Sequence, residues 1–141
     1  MKGYRREIAV VSLLLSLLFQ MPSVAMAQET KLLTSGNGQG VIKVGREQFK
    51  LTSVVIKLLE DRTAEITLVS EITIFVSGNW SERPGEPKAI DLQITGGATG
   101  GDLEGSGRLL LRDDQKSVDS LKLNAVNRNT KRAIQVNFTA K

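Results

Sequence analysis

Apolar and polar residues alternate along much of this chain with a period of two, which is the period of a β-strand. The clearest example lies between Thr63 and Val76, where apolar side chains recur at every second position and only Ser70 breaks the row. A helix would distribute these residues around its circumference. The pattern therefore predicts one long half-buried strand, or two strands with a bend near Ser70.

The preceding segment, Phe49 to Leu59, is apolar on both faces and is predicted to be a more central strand. Glu60-Asp61-Arg62 would form the turn of a hairpin that joins it to the strand beginning at Thr63. The same periodicity predicts five further strands, at 41–45, 88–95, 107–112, 118–126 and 132–140.

Three stretches interrupt the strand pattern. Residues 28–39 are polar and contain glycine, so they are expected to be a loose start to the domain. Ser77 to Pro87 contains two prolines and two glycines and is predicted to be a loop, because proline cannot donate to a strand ladder. Residues 96–107 hold six glycines and are expected to be a flexible or tightly turning connection.

Seven short strands separated by turn signals predict an all-β, antiparallel fold, either a single β-sandwich or a small, partly closed barrel. A faint repeat is present at an offset of 67 residues, which aligns Gly38-x-Gly40 with Gly105-x-Gly107. Similar strand patterns produce such matches by chance, and an internal duplication is the alternative. A duplication would give two three-strand meanders that face each other.

The start of the chain has the pattern of a secretory signal peptide. Basic residues precede an apolar run from Ile8 to Phe19, and Ala25-Met26-Ala27 supplies the small-x-small pattern that signal peptidases recognise. We expect cleavage after Ala27 and export to the periplasm or the extracellular space of a bacterium, with an uncleaved anchor as the alternative. Residues 28–141 would then form one domain, without a second apolar run long enough to span a membrane.

Composition narrows the partners and the chemistry. The predicted mature chain has a net charge of +2, which does not predict a nucleic-acid partner or an anionic membrane partner. The chain contains no cysteine, so the exported domain must be held by its apolar core and its strand ladders.

The chain also contains no histidine, which together with the missing cysteine excludes a Ser-His-Asp triad, a thiol nucleophile and an ordinary zinc site. The acidic residues fall mostly in turns or on solvated strand faces, so no catalytic residue and no cofactor are predicted. A hydrolase that works with two carboxylates is kept as a minor alternative.

Asp102 and Glu104 lie in the glycine-rich stretch and are weak candidates for cation ligands. A single copy of such a stretch supplies too few oxygen ligands for calcium. The preferred interpretation is a mobile connection between strands.

Trp80 is the only tryptophan, and two hypotheses describe it. Its ring either contacts a ligand or partner, or folds inward to plug one end of the core with its N–H bonded to a carbonyl, which is the preferred interpretation. The candidate binding residues are Trp80, Asn79, Arg83 and Phe75, the last being out of phase with its strand. Loops 77–88 and 96–107, which flank the strand at 88–95, are the expected contact surface.

Positive charge is concentrated around the last predicted hairpin, at Arg128, Lys131 and Arg132, with Lys122 nearby. This cluster is either a contact for an acidic partner or surface polymer, or a solvated turn.

The leading hypothesis for function is an exported binding or protein-interaction domain whose partner is an unknown protein or an envelope or extracellular ligand. A structural role is the main alternative, in which a strand edge at 41–45 or 132–140 pairs with another subunit.

Overall fold

The structure is a computed structural model that describes residues 29–97 and 102–141. The predicted signal peptide lies outside the described residues. Every regular element in the described part is a β-strand, and the eight strands are β1 (Thr30–Val44), β2 (Glu47–Leu59), β3 (Thr63–Val69), β4 (Thr73–Arg83), β5 (Glu86–Gly97), β6 (Leu103–Leu111), β7 (Val118–Asn127) and β8 (Ala133–Ala140). Within residues 29–97 and 102–141, no helix is long and apolar enough to span a membrane.

The strands form a closed antiparallel barrel in chain order, in which β8 pairs with β1. The all-β prediction is confirmed. The prediction of a seven-strand sandwich is wrong, because residues 63–76 form two strands and the sheet closes on itself. The alternative of a small barrel gives the correct architecture, except that the barrel is fully and not partly closed. Residues 28–39 are not a loose start, since β1 begins at Thr30.

Glycines concealed the first half of β1. Gly36, Gly38 and Gly40 share the phase of the buried Ile42, so between Gly36 and Gly40 this face of the strand has no apolar side chain to mark it. A Cβ at Gly38 would lie 2.1 Å from the carbonyl oxygen of Thr139, and one at Gly40 would lie 2.3 Å from that of Asn137. Glycine therefore permits the close pairing of Gly38–Val44 with Ile134–Ala140, which we name the seam.

The alternation between Thr63 and Val76 marks two strands, β3 and β4, that reverse direction at residues 70–72 and pair Val69 with Thr73. The inward positions Ile66, Leu68 and Ile74 are buried, as the period of two predicted. The break at Ser70 is thus a hairpin turn and not a bend.

The two apolar faces of residues 49–59 arise from a change of phase within β2. Leu51 and Val54 both point inward although they are three residues apart, because the register with β1 shifts between Asn37 and Gly40. Val55 points outward and is partly exposed. β2 has a neighbour on each side, as expected of a central strand, but so does every other strand of the closed barrel.

The predicted loop from Ser77 to Pro87 is also wrong. β4 continues to Arg83 and β5 begins at Glu86, so only Pro84 and Gly85 connect them. Proline followed by glycine at φ 80° fits a type II turn. The end of β4 and the start of β5 are rich in polar residues, which is why the sequence of this segment resembles a loop.

The glycine-rich stretch 96–107 is mostly strand. β5 runs to Gly97 and β6 begins at Leu103, while residues 98–101 lie outside the described residues. Gly105 and Gly107 lie inside β6, opposite Ala125 and Leu123 of β7.

The offset of 67 residues relates β1 to β6, β2 to β7 and β3 to β8. The meanders β1–β3 and β6–β8 are present, joined by β4 and β5, but they belong to one barrel and do not face each other as two sheets. The duplication itself stays a prediction.

The strands of the barrel are strongly staggered. A path that starts at Val44 and passes from each residue to its partner on the next strand returns to β1 at Leu32 and not at Val44. The inward residues on this path are Ile134, Ala125, Gly105, Ile94, Gly78, Ala64 and Leu58. Such stagger accompanies steeply tilted strands. The interior is filled with aliphatic side chains and Phe138, so the barrel contains a packed core.

Gly78→Ala is expected to destabilise the barrel by about 1–3 kcal/mol, because the new Cβ would overlap a neighbouring backbone. That Cβ would lie 1.8 Å from the carbonyl oxygen of Gln93. Gly96→Ala is the matched control, since its Cβ meets only the Ser77 hydroxyl at 3.3 Å. Urea unfolding measures both changes, and equal losses would contradict this account of Gly78.

Candidate binding sites

Trp80 is buried at one end of the barrel. It continues the inward row of Ile74, Val76 and Gly78 on β4, and only 5% of its surface is exposed. Its indole Nε1–H donates to the carbonyl oxygen of Leu59 at 2.9 Å. The ring therefore occupies the inward position, and its polar atom is satisfied by the end of β2.

The turn after β2 covers the Trp80 ring. The turn lies at Glu60-Asp61-Arg62, as predicted, and the guanidinium of Arg62 lies 4.3 Å from the centre of the ring. The Trp80 amide also donates to the Arg62 carbonyl oxygen at 2.8 Å. A backbone hydrogen bond and a cation–π contact thus hold the turn against Trp80.

The other candidate binding residues do not converge on Trp80. Phe75 and Asn79 point outward from β4, and Phe75 is 49% exposed beside Thr67. Arg83 is engaged by Asp91, whose carboxylate accepts from its Nε at 2.9 Å. Phe75 and Asn79 thus share the outer face of β4, whereas the Trp80 ring lies on its inner face.

The two loops that were expected to form a contact surface are mostly strand. Residues 77–83 belong to β4, 86–97 to β5 and 103–107 to β6.

No group of three or more potential metal ligands occurs among residues 29–97 and 102–141. Glu104 accepts from Arg128 Nε at 3.0 Å, and the Asp102 carbonyl oxygen accepts from the Arg128 amide. These contacts connect the start of β6 to the turn after β7.

The predicted basic cluster is divided between two surfaces. Arg128 is paired with Glu104, and Lys131 and Arg132 lie in the β7–β8 turn. Lys122 points outward from the middle of β7. It belongs to a different group of residues, described below.

A cavity of about 580 Å³ opens at the Trp80 end of the barrel. One wall is the start of β1 at Lys31–Leu33, and the opposite wall is the β6–β7 turn at Asp114–Lys116. Its floor is apolar and consists of Leu58, Trp80, Ile90 and Leu111. We name this cavity the end slot.

The β1 wall of the end slot is a half-paired strand. β2 pairs with β1 from Thr30 onward, but β8 pairs with it only from Gly38. The Asn37 carbonyl oxygen accepts from the Lys141 amide at 3.0 Å. Because alternate residues of an antiparallel strand direct their backbone groups to the same side, Leu33 and Ser35 direct theirs to this side too, where no described strand pairs with them.

The turn wall of the end slot is held by Asp114. Its carboxylate accepts from the amides of Lys116 and Ser117 and from the Ser117 hydroxyl. These bonds lower the pKa of Asp114 to about 2, with the Ser117 hydroxyl as the largest cause. Asp114 is therefore ionised at neutral pH, and its carboxylate is hydrogen-bonded within its own turn.

A second concavity, of about 880 Å³, lies on the outer face of the seam and extends to β2 and β7. Three lysines from three strands line it: Lys43, Lys50 and Lys122. The groove is also lined by five carboxamide side chains, those of Gln39, Gln48, Asn124, Gln135 and Asn137. None of the described residues that line this lysine groove is acidic.

The sequence singled out one residue of each site, Trp80 in the end slot and Lys122 in the lysine groove, but predicted neither site as a whole. Leu33 and Ser35 fall in the segment interpreted as a loose start, where the alternation of Leu32 and Thr34 was the available signal. Lys43 and Lys50 lie on polar strand faces, but nothing local shows that β1 lies between β2 and β8.

Comparison with known proteins does not assign a function: no family model, no curated protein and no solved structure matches the chain.

Trp80→Ala is expected to destabilise the domain by about 3–5 kcal/mol, because it opens a cavity at the end of the core. Trp80→Phe should cost about 1–3 kcal/mol, because it leaves the Leu59 carbonyl without its donor. Phe75→Ala, at a half-exposed aromatic, should cost less than about 1 kcal/mol. Urea unfolding followed by circular dichroism compares them. A Trp80→Ala loss as small as that of Phe75→Ala would contradict the buried role.

The low pKa of Asp114 predicts a pH dependence of stability. The pKa of Asp114 is about 2 in the folded protein and lies below its ordinary value of 3.8. The ionised carboxylate therefore stabilises the fold fully above pH 3.8, and this contribution is lost as the pH falls toward 2. Asp114→Asn should therefore lose less stability than the parent over this range. Ser117→Ala should raise the pKa of Asp114, as measured by NMR titration. An unchanged pKa would show that the hydroxyl bond is unimportant.

Proposed function

We propose that this chain is an exported binding domain that captures an extended segment of another polypeptide at the end slot. The observation that carries the proposal is the half-paired edge of β1 beside an apolar floor. The export itself rests on the sequence pattern before residue 28, with cleavage after Ala27 and a periplasmic or extracellular location as proposed.

The backbone supplies the affinity in this proposal. Leu33 and Ser35 each present an N–H and a C=O toward the open side, so an incoming strand can form up to four hydrogen bonds with them. The incoming strand would lie antiparallel to β1, in line with β8 where β8 ends beside Asn37. Because the bonds use main-chain groups, this part of the recognition is independent of the ligand's sequence.

The floor of the slot supplies the specificity. Leu58, Ile90 and Leu111 surround the Trp80 ring and favour an apolar side chain from the incoming segment. Leu33 lies beside the opening with 66% of its surface exposed, the largest value among the exposed large apolar residues of the described chain. Covering Leu33 would remove apolar surface from water.

The rim has both signs of charge: Lys31 lies on β1, Lys116 on the β6–β7 turn, and Glu82 on β4 close to Trp80. Such a rim suits a peptide that alternates an apolar residue with polar or charged neighbours. It gives little net attraction for a small ion of either sign.

The slot also limits the length of the segment. β8 pairs with this side of β1 from Gly38 onward, and the Lys141 amide donates to the Asn37 carbonyl oxygen. A partner therefore has access to the stretch around Lys31–Ser35, which suits a short strand.

The alternative of strand addition at 41–45 or 132–140 has no free edge to use. These segments pair with each other across the seam. Strand addition is therefore proposed at the beginning of β1.

The hydrolase alternative has no support from the acidic residues. It requires a buried acid with a raised pKa. Every acidic side chain in the described ranges is exposed or half-exposed. The resolved shifts at Asp61, Asp113 and Asp114 all lower the pKa.

Ser35→Pro tests the proposal, because it removes the one N–H at this residue that faces the open side and leaves the β1–β2 ladder intact. Peptides of about eight residues selected from a random displayed library against residues 28–141 are the probe. We expect them to carry alternating apolar residues and to protect the Leu33 and Ser35 amides from hydrogen exchange. Ser35→Pro should weaken their binding at least about tenfold, the equivalent of one or two hydrogen bonds.

Ser35→Ala is the matched control, since it keeps the N–H and removes only the exposed hydroxyl. It should bind the selected peptides like the parent. Equal binding by a folded Ser35→Pro variant, or protection at amides outside β1, would refute the edge as the site. Selection of a peptide from this chain, together with dimerisation in sedimentation, would identify a second copy as the partner.

A further inference from the structure

We propose that the lysine groove on the outer face of the seam binds an acidic polysaccharide. This site is separate from the end slot, because it uses the outward residues of the second half of β1 and not the edge of its first half. The proposal for the groove can therefore be tested independently of the proposal for peptide capture.

Most of the polar residues of the groove lie in two cross-strand rows over β2, β1, β8 and β7. One row is Gln48, Lys43, Gln135 and Asn124. The other row is Lys50, Val41, Asn137 and Lys122. The closure of the barrel is what places these residues side by side.

The charges of the groove have no partners within the described chain. Lys43, Lys50 and Lys122 form none of its ion pairs. Elsewhere on the barrel the pattern differs, since Asp91 lies between Arg83 and Arg108 and neutralises charge there. The groove thus presents positive charge that favours an anionic occupant.

The spacing of the lysines favours an extended anion over a small one. Lys50 and Lys122 end the same row three strand spacings apart, which is about 14 Å between their backbones. Lys43 lies in the adjacent row. A chain with repeated negative groups can contact all three lysines at once.

The carboxamides indicate that the anion also carries hydroxyl groups. Each Gln or Asn side chain both donates and accepts hydrogen bonds, which matches the hydroxyls of a sugar, while lysine only donates and suits a carboxylate or sulfate. Five carboxamides beside three lysines provide both kinds of contact along one polymer.

Two other anionic partners fit the groove less well. Single-stranded nucleic acid is bound by aromatic side chains on which bases stack, and none of the described residues lining the groove is aromatic. An anionic bilayer presents a broad surface, which cannot follow a concavity between strands. The polysaccharide is therefore the occupant that the observations favour.

The test uses residues 28–141 with the double variant Lys50→Gln/Lys122→Gln. The matched control, Lys57→Gln/Lys131→Gln, removes the same charge outside both the groove and the end slot. Calorimetry would compare oligogalacturonate, dextran sulfate, neutral dextran and a thymidine oligonucleotide. We expect the parent to bind one or both acidic glycans, more weakly as salt is raised, and the groove variant to bind about tenfold more weakly.

Preference for oligogalacturonate or for dextran sulfate would distinguish a carboxylated from a sulfated polymer, and either preference supports the proposal. Four results would overturn it. These are no binding of either acidic glycan, equal binding of neutral dextran, tighter binding of the oligonucleotide, or an equal loss in the control variant. Urea unfolding of both variants would show that any loss occurs in folded protein.

Discussion

The backbones of β1 and β8 approach closely enough to pair because Gly38 and Gly40 carry no side chain where a Cβ would overlap the carbonyl oxygens of β8. This pairing closes the barrel and leaves no free edge at 41–45 or 132–140. It also explains why the domain packs a full core without disulfides, since every strand is held on both sides over part of its length.

Both proposed sites depend on how far the two seam strands overlap. β1 extends beyond β8 at the Trp80 end, and the uncovered part becomes a wall of the end slot. Where the two strands do overlap, their outward side chains form the centre of the lysine groove. One rigid scaffold therefore offers backbone hydrogen bonds at its end and charged side chains on its wall.

The sequence predicted what depends on local pattern and missed what depends on closure. The period of two located β3 and β4, and the turn at Glu60-Asp61-Arg62 was predicted correctly. Glycines on the inner face hid the first half of β1, and a register shift made β2 resemble a central strand. The inward direction of Trp80 was available from the phase of Ile74 and Val76. The presence of Lys43 and Lys122 in one groove was not available, because it exists only after the first and last strands meet.

The order of the strands has a consequence for how the barrel forms. Seven of the eight pairings join strands that are consecutive in the chain, so each can close as a local hairpin. The seam joins Gly38 to Ala140 across almost the whole described chain, and such a non-local contact is slow to form. We infer that the seam forms last. Until it does, the edges of β1 and β8 are both exposed, so a newly made chain is most vulnerable to pairing with other chains at the same residues that later close it.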